Sequence, residues 1–286
     1  MTTGRSLLSP SPAGCTAGGA IDSESAGSGF SGTAATSLGR RCSGFTFSSF
    51  VDIVCLQEQV AADDMVPMAD GGLPMLDRFL LQGPEDARFT ILLAHGAGAP
   101  MDSASMTAAA KALADVGFRV IRFEFAYMAA RRSGVRKPPP RAETLNPEYE
   151  AAIAVLGTKG PLIIGGKSMG GRVATMVADD LHDKGKIAGL LCLGYPFHPP
   201  GQPDKLRTGH LKRLATPALI CQGTRDEFGT RDEVPGYDLS DRIEILWLED
   251  GDHDLKPRKK ISGFSAADHL ATMAKAAKAW AERLPA

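Results

Sequence analysis

No apolar run among the 286 residues approaches the roughly 20 residues that a helix needs to cross a bilayer, so no membrane-spanning helix is expected. Net charge is equally scarce: 32 Lys and Arg stand against 33 Asp and Glu, a formal −1. A chain so balanced offers no global field for nucleic acid or for an anionic membrane surface. Its five cysteines, Cys15, Cys42, Cys55, Cys192 and Cys221, include no C-x-x-C spacing. Two of them sit in apolar runs that read as strands, where a small buried thiol is the ordinary reading, and a reducing, cytoplasmic compartment fits. No metal or cofactor is expected. Asp250, Asp252 and Asp254 alternate like a calcium loop, but the glycine needed at its sixth position is Leu255 and the chelating glutamate at its twelfth is Ile261.

Large aliphatics are scarce near the start of the chain. The stretch from Ser6 to Gly44 is dominated by Ser, Gly, Ala and Thr and cannot bury enough surface to fold. It has no continuous apolar core of a signal peptide, and Asp22 and Glu24 argue against an organelle transit peptide. "FTFSSFVDIVCL" (Phe45–Leu56) is apolar but short, a docking strand or nothing. Met65 and Met68 stand just before the sequence becomes domain-like, so two readings stay open for residues 1–64: a disordered extension, or residues upstream of the true start of translation.

What is present begins with "PLIIGGKSMGGR", Pro161 to Arg172. Its Gly-Lys-Ser triplet resembles the end of a phosphate-binding loop, but that motif needs glycine where Pro161 stands and a flexible turn where Leu162-Ile163-Ile164 forms a β-branched apolar run. The same residues also spell G-x-S-x-G, Gly166 to Gly170. That pentapeptide is weak alone, because a chain of this composition yields roughly 0.2 chance matches. Its context carries it. A strand runs in, a helix (Met169–Leu181) runs out, and the small flanking residues permit the strained turn that exposes a nucleophilic serine above a helix N-terminus.

From about Gly72 to Ala286 strand and helix signals alternate, the pattern of a mostly parallel sheet with helices on both faces. Strands are expected at "RFTILLA", "FRVIRFEF", "PLIIGG", "IAGLLCLG", "TPALICQG" and "RIEILWLE". Helices are expected over Ser105–Val116, about Pro147–Leu156, Met169–Leu181 and from about Ala266, where Leu270, Met273, Ala277, Trp280 and Leu284 make one stripe. Residues 126–141 read as a long basic, proline-rich loop.

A serine hydroxyl needs a base to take its proton, and the base needs an oriented anionic partner. In a sheet of this kind the acid and the histidine follow the serine on loops after later strands. "QGTRDEFGT" supplies Asp226, with Glu227 as second choice, and "EDGDHDL" supplies His253. The expected catalytic set is Ser168, Asp226 and His253. An oxyanion hole is expected from the backbone N–H groups of Met169 and Ala97, with Gly96 the alternative to Ala97. His95 reads as a hydrogen-bonding support beneath its loop. Lys167, His198 and Arg131 are the candidates for contact with substrate, though loop packing competes for His198 and a rim charge for Lys167. His182, His210 and His269 read as solvated.

The segments "LLAHGAGAPMDSASM", "RFEFAYMAARR", "IGGKSMGGRVA", "LGYPFHPPGQPDKLRTGHL", "QGTRDEFGTRDEV" and "LEDGDHDLKPRK" resemble the α/β-hydrolase superfamily. More narrowly, they resemble its dienelactone-hydrolase-like branch, with the testis-expressed and NSL-complex regulatory-subunit homologues. The resemblance covers residues 72–286. It implies an α/β-hydrolase fold with little or no cap domain, and it sets Ser168, Asp226 and His253 at the family's triad positions. True dienelactone hydrolases carry cysteine where this chain has Ser168, which points away from their particular substrate. Some relatives are similar to scaffolding subunits of chromatin complexes. The expectation is therefore a serine hydrolase acting on a small ester, thioester or related acyl substrate, and the alternative is a non-catalytic binding or scaffold protein on the same fold. Basic loops carrying Arg131, Arg132, Arg136, Lys137 and Arg141, and Lys256, Arg258, Lys259 and Lys260, with Lys167 beside the serine, predict an anionic substrate.

Overall fold

The computed structural model describes residues 79–158 and 160–285. The expectations for residues 1–64, for Phe45–Leu56 and for a domain start near Gly72 lie outside them. Seven strands form one sheet: β1 (Phe79–Gln82), β2 (Thr90–Ala94), β3 (Arg119–Phe123), β4 (Leu162–Lys167), β5 (Gly189–Leu193), β6 (Ala218–Gly223) and β7 (Ile243–Leu248). Their order is β1-β3-β2-β4-β5-β6-β7, with β1 antiparallel to β3 and every other pair parallel. The helices are α1 (Ala104–Asp115), α2 (Ala126–Arg132), α3 (Asn146–Ala154), α4 (Met169–Asp183), α5 (Lys259–Ser262) and α6 (Ala266–Ala281).

Burial on both faces explains why the central strands are unbroken apolar runs. Alternate side chains serve opposite layers. Leu92 and Ala94, Leu190 and Cys192, and Ala218 and Ile220 join a cluster with Tyr149 of α3 and Val173, Ala174 and Val177 of α4. Ile91 and Leu93, Leu191 and Leu193, and Leu219 and Cys221 face Met106 and Leu113 of α1 and Met273, Ala277 and Trp280 of α6. The stripe on α6 is buried except at Leu270, which is partly exposed, and it continues to Leu284 beyond the helix end. Ser265 and Asp268 close a reciprocal capping box at its start, a device that contributes ~1 kcal/mol.

Two departures concern local structure. The segment expected as a loop over 126–141 opens with α2. Ala, Met and Arg are good helix formers, and seven residues hold a helix here because Tyr127 and Met128 are buried against the core. The short antiparallel β1 was not anticipated, since "FLLQ" is too brief to show a period. Among the described residues no inserted domain caps the carboxyl ends of the strands.

The chain passes from β2 to β3 on one side and then to β4 on the other, so the sheet has its switch point between β2 and β4. Ligands in open parallel sheets meet the loops at the carboxyl ends there. Ala94, the last residue of β2, pairs in register with Gly166 of β4, which brings the loop after β2 beside the turn into α4.

Candidate active site

Ser168 is the N-cap of α4 and has φ 51° and ψ −116°, a strained conformation for a residue with a Cβ. The turn is possible because Gly166 and Gly170, two residues to either side, have none. A Cβ on Gly166 would lie 2.4 Å from the Ala94 carbonyl oxygen, and one on Gly170 would lie 2.6 Å from the carbonyl oxygens of both Ala94 and His95. The two glycines of the motif are therefore required by the backbone of β2, which runs against the elbow.

The loops after β6 and β7 bring two more side chains to this serine. His253 Nε2 lies 2.8 Å from Ser168 Oγ, and its Nδ1 lies 2.9 and 3.0 Å from the two carboxylate oxygens of Asp226. Asp226 is fully buried. Its oxygens also accept from the Phe228 N–H at 2.9 Å and from Gln222 Nε2 at 2.9 Å. A buried carboxylate with every side occupied is held in one orientation and kept hydrogen-bonded, as burial of charge requires. Glu227, the second choice, is exposed and takes no part.

Gln222 was missed. It is fully buried in β6 and also bonds both backbone groups of Tyr195 and the Gly229 carbonyl. The signal was one amide in the otherwise apolar run "PALICQG". Phe228 was missed as well: its ring lies 4.1 Å from that of His253, tilted by 31°, which covers one imidazole face.

Ser168, Met169 and Ala97 line a cleft of about 490 Å³ together with Pro139, Arg141, Glu143, Arg172, Arg207 and Phe228. Among the described residues neither the Ala97 nor the Met169 N–H donates to a protein acceptor. Both are thus free to face an oxygen in the cleft. His95 is buried below this loop. Its Nδ1–H donates to the Gly96 carbonyl at 2.6 Å, its Nε2 accepts from the Phe125 N–H at 3.2 Å, and burial pushes its pKa down, keeping it neutral. A larger hollow of about 630 Å³ between α3 and the end of α4 contains none of these groups.

The three residues expected to touch substrate are placed elsewhere. Lys167 turns away from the cleft: its Nζ donates to the His253 carbonyl at 2.6 Å and pairs with Asp254 at 3.5 Å. Burial lowers the pKa of this ammonium, and Asp254 pulls it back up. His198 is buried, donates Nδ1–H to the Pro199 carbonyl at 2.8 Å and packs edge-on against Tyr237, so the loop-packing reading holds. Arg131 lies over the Tyr127 ring and reaches the Gly98 and Lys137 carbonyls at 3.5 and 3.3 Å.

Two of the histidines read as solvated are not. His269 is buried and donates to the Leu255 carbonyl. His210 Nε2 lies 2.9 Å from Thr175 Oγ1, and burial lowers its pKa to about 4. Cys192 and Cys221 are fully buried free thiols, the former with its pKa pushed up to about 12 by burial, so neither is a competing nucleophile. The carboxylates of the rejected calcium pattern are used internally: Asp250 pairs with Arg258 and Arg225, and Asp252 accepts from the Asp254 and Lys256 N–H groups.

Comparison with known proteins agrees with this architecture. The dienelactone hydrolase of Anabaena variabilis superposes with a TM-score of 0.53 at 16% identity, over 73% of this chain and 92% of that one. Est1E of Butyrivibrio proteoclasticus gives 0.51 at 12% identity, over 72% of this chain and 94% of that one. At such identities the likeness is one of fold. Residues 87–282 match the family described as an alpha/beta hydrolase domain, and since that span is most of the chain, the protein belongs to the alpha/beta hydrolase family.

Proposed function

We propose that the protein is a serine hydrolase that cleaves a small ester, thioester or related acyl compound through an acyl-enzyme. The observation that carries this reading is the unbroken line from the cleft inward: Ser168 Oγ, His253 and the buried Asp226, joined at 2.8 and 2.9 Å. Ser168 Oγ attacks the acyl carbonyl while His253 Nε2 takes its proton, and the Asp226 carboxylate stabilises the imidazolium that forms. The carbonyl oxygen, now negative, is met by the N–H groups of Ala97 and Met169. Collapse expels the alkoxide or thiolate, which leaves with the proton from His253. Water, deprotonated by the same imidazole, then attacks the acyl-serine and releases the acid. Ser168 in place of cysteine separates this chemistry from that of the true dienelactone hydrolases, whose branch, with the testis-expressed and NSL-complex regulatory-subunit homologues, the motifs resemble. Buried, unpaired Cys192 and Cys221 suit a cytoplasmic setting.

The test is covalent labelling. A fluorophosphonate should label the purified protein, and Ser168→Ala should abolish both the labelling and, by about three or more orders of magnitude, esterase turnover while leaving the fold intact. Labelling retained by the variant would refute Ser168 as nucleophile. No labelling of the wild type would favour the scaffold alternative.

A further inference from the structure

Of the basic-loop charges that sequence inspection points to, Arg141 lines the cleft. Four of the others are spoken for: Arg132 pairs with Glu124 and Asp102, Lys256 with Asp254, Arg258 with Asp250, and Arg131 with backbone carbonyls. The charged groups that line the cleft with Ser168 are Arg141, Arg172 and Arg207, against one carboxylate, Glu143.

We infer that Arg172 and Arg207 form an anion subsite in the Ser168 cleft, which recognises a carboxylate or phosphate group carried by the acyl substrate. The substrate assignment rests on the hydrolase reading above; anion binding by the two arginines does not. Arg172 lies one helical turn beyond Ser168, its N–H bonded to the Ser168 carbonyl at 3.0 Å. Its guanidinium meets Glu143 at 2.5 Å through one terminal nitrogen, and its Nε is buried without an acceptor. Arg207 is anchored by its own N–H to the Phe197 carbonyl at 2.7 Å and is half-buried. Among the described residues its guanidinium meets no carboxylate within ion-pair distance and no hydrogen-bond acceptor. Burial, and then repulsion from Arg172, press its pKa down. Glu143 balances one of the two arginines, which leaves the cleft with an excess positive charge that an incoming anion would offset. The planar fork of a guanidinium suits the paired oxygens of a carboxylate or phosphate.

The first experiment compares kcat/KM for mono-4-nitrophenyl adipate with that for the neutral 4-nitrophenyl hexanoate. The wild type should prefer the anion by about tenfold or more at low salt, as expected for one charge-assisted hydrogen bond, and the preference should shrink as salt rises. Arg207→Met should lower that ratio about tenfold, and Arg207→Lys should restore part of it. Absence of anion preference in the wild type, or a ratio untouched by Arg207→Met in a protein with unchanged Tm, would overturn the proposal. If neither ester is turned over, the hydrolase reading falls alone and binding decides the subsite. Calorimetric titration of methyl phosphate and of propionate into Ser168→Ala should then show binding that Arg207→Met removes, the tighter anion naming the group recognised. Binding of neither anion, or binding indifferent to Arg207, would refute it.

Discussion

Among single residues, His210 shows how burial changes what a side chain does. Thr175 Oγ1 donates to the Arg172 carbonyl at 2.8 Å, so it must accept from His210 Nε2–H. Burial, and then repulsion from Arg172, hold the imidazole neutral, its pKa lowered from 6.5 to about 4. The unfolded chain takes up a proton near pH 6.5 and the folded protein does so only near 4, so the folded state binds fewer protons between those values. Its stability is therefore lost as pH falls through that window and the loss levels off below about 4. Thermal melts of wild type and His210→Gln between pH 7 and about pH 4 should diverge, the variant losing less Tm on acidification. Parallel curves would show that His210 is free to protonate in the folded state.

Between elements, the site depends on contacts that join β4 to its neighbours. Lys167 ends β4 and holds the His253 carbonyl on the loop after β7, so it positions the imidazole without touching the cleft. Lys167→Met should lower kcat by about ten- to a hundredfold with KM little changed, because a displaced general base impairs the chemical step more than binding. A change confined to KM would instead return Lys167 to the substrate. At the start of α4, Gly170→Ala should strain the elbow, since the new Cβ would meet the carbonyl oxygens of Ala94 and His95 at 2.6 Å. We expect a destabilisation of roughly 1–3 kcal/mol with loss of turnover, read from chemical denaturation and esterase rate. A fully active and stable variant would show that β2 yields at this point.

For the molecule as a whole, the sheet and its two helical layers account for the family match over residues 87–282. The stretch Ser6–Gly44 is poor in large aliphatics, and its composition offers no core of its own. A protein beginning at Met65 should therefore keep the Tm and activity of the full chain, as differential scanning calorimetry and an esterase assay would show. A fall of several degrees would mean that Phe45–Leu56 packs on the domain.

Amino-acid order alone determined the class of fold, because a sheet buried on both faces imposes unbroken apolar strands and leaves helices to carry the amphipathic pattern. It also marked Ser168, Asp226 and His253 as candidates, which the fold brings together, since each must follow a particular strand and the turn glycines are dictated by backbone clearance. The chain could not show which charges share a space. Arg131 and Lys167 read as substrate contacts from their neighbours in sequence, yet each is tied to a carbonyl oxygen. Arg172 and Arg207 lie far apart along the chain, yet both line the cleft. Gln222, Phe228 and α2 escaped for the same reason: hydrogen bonding, ring stacking and burial of a short helix depend on partners that only the folded sheet brings near. Local pattern sets where strands, helices and turns form, while the free energy of a polar group is set by its surroundings in space, and those exist only in the tertiary structure.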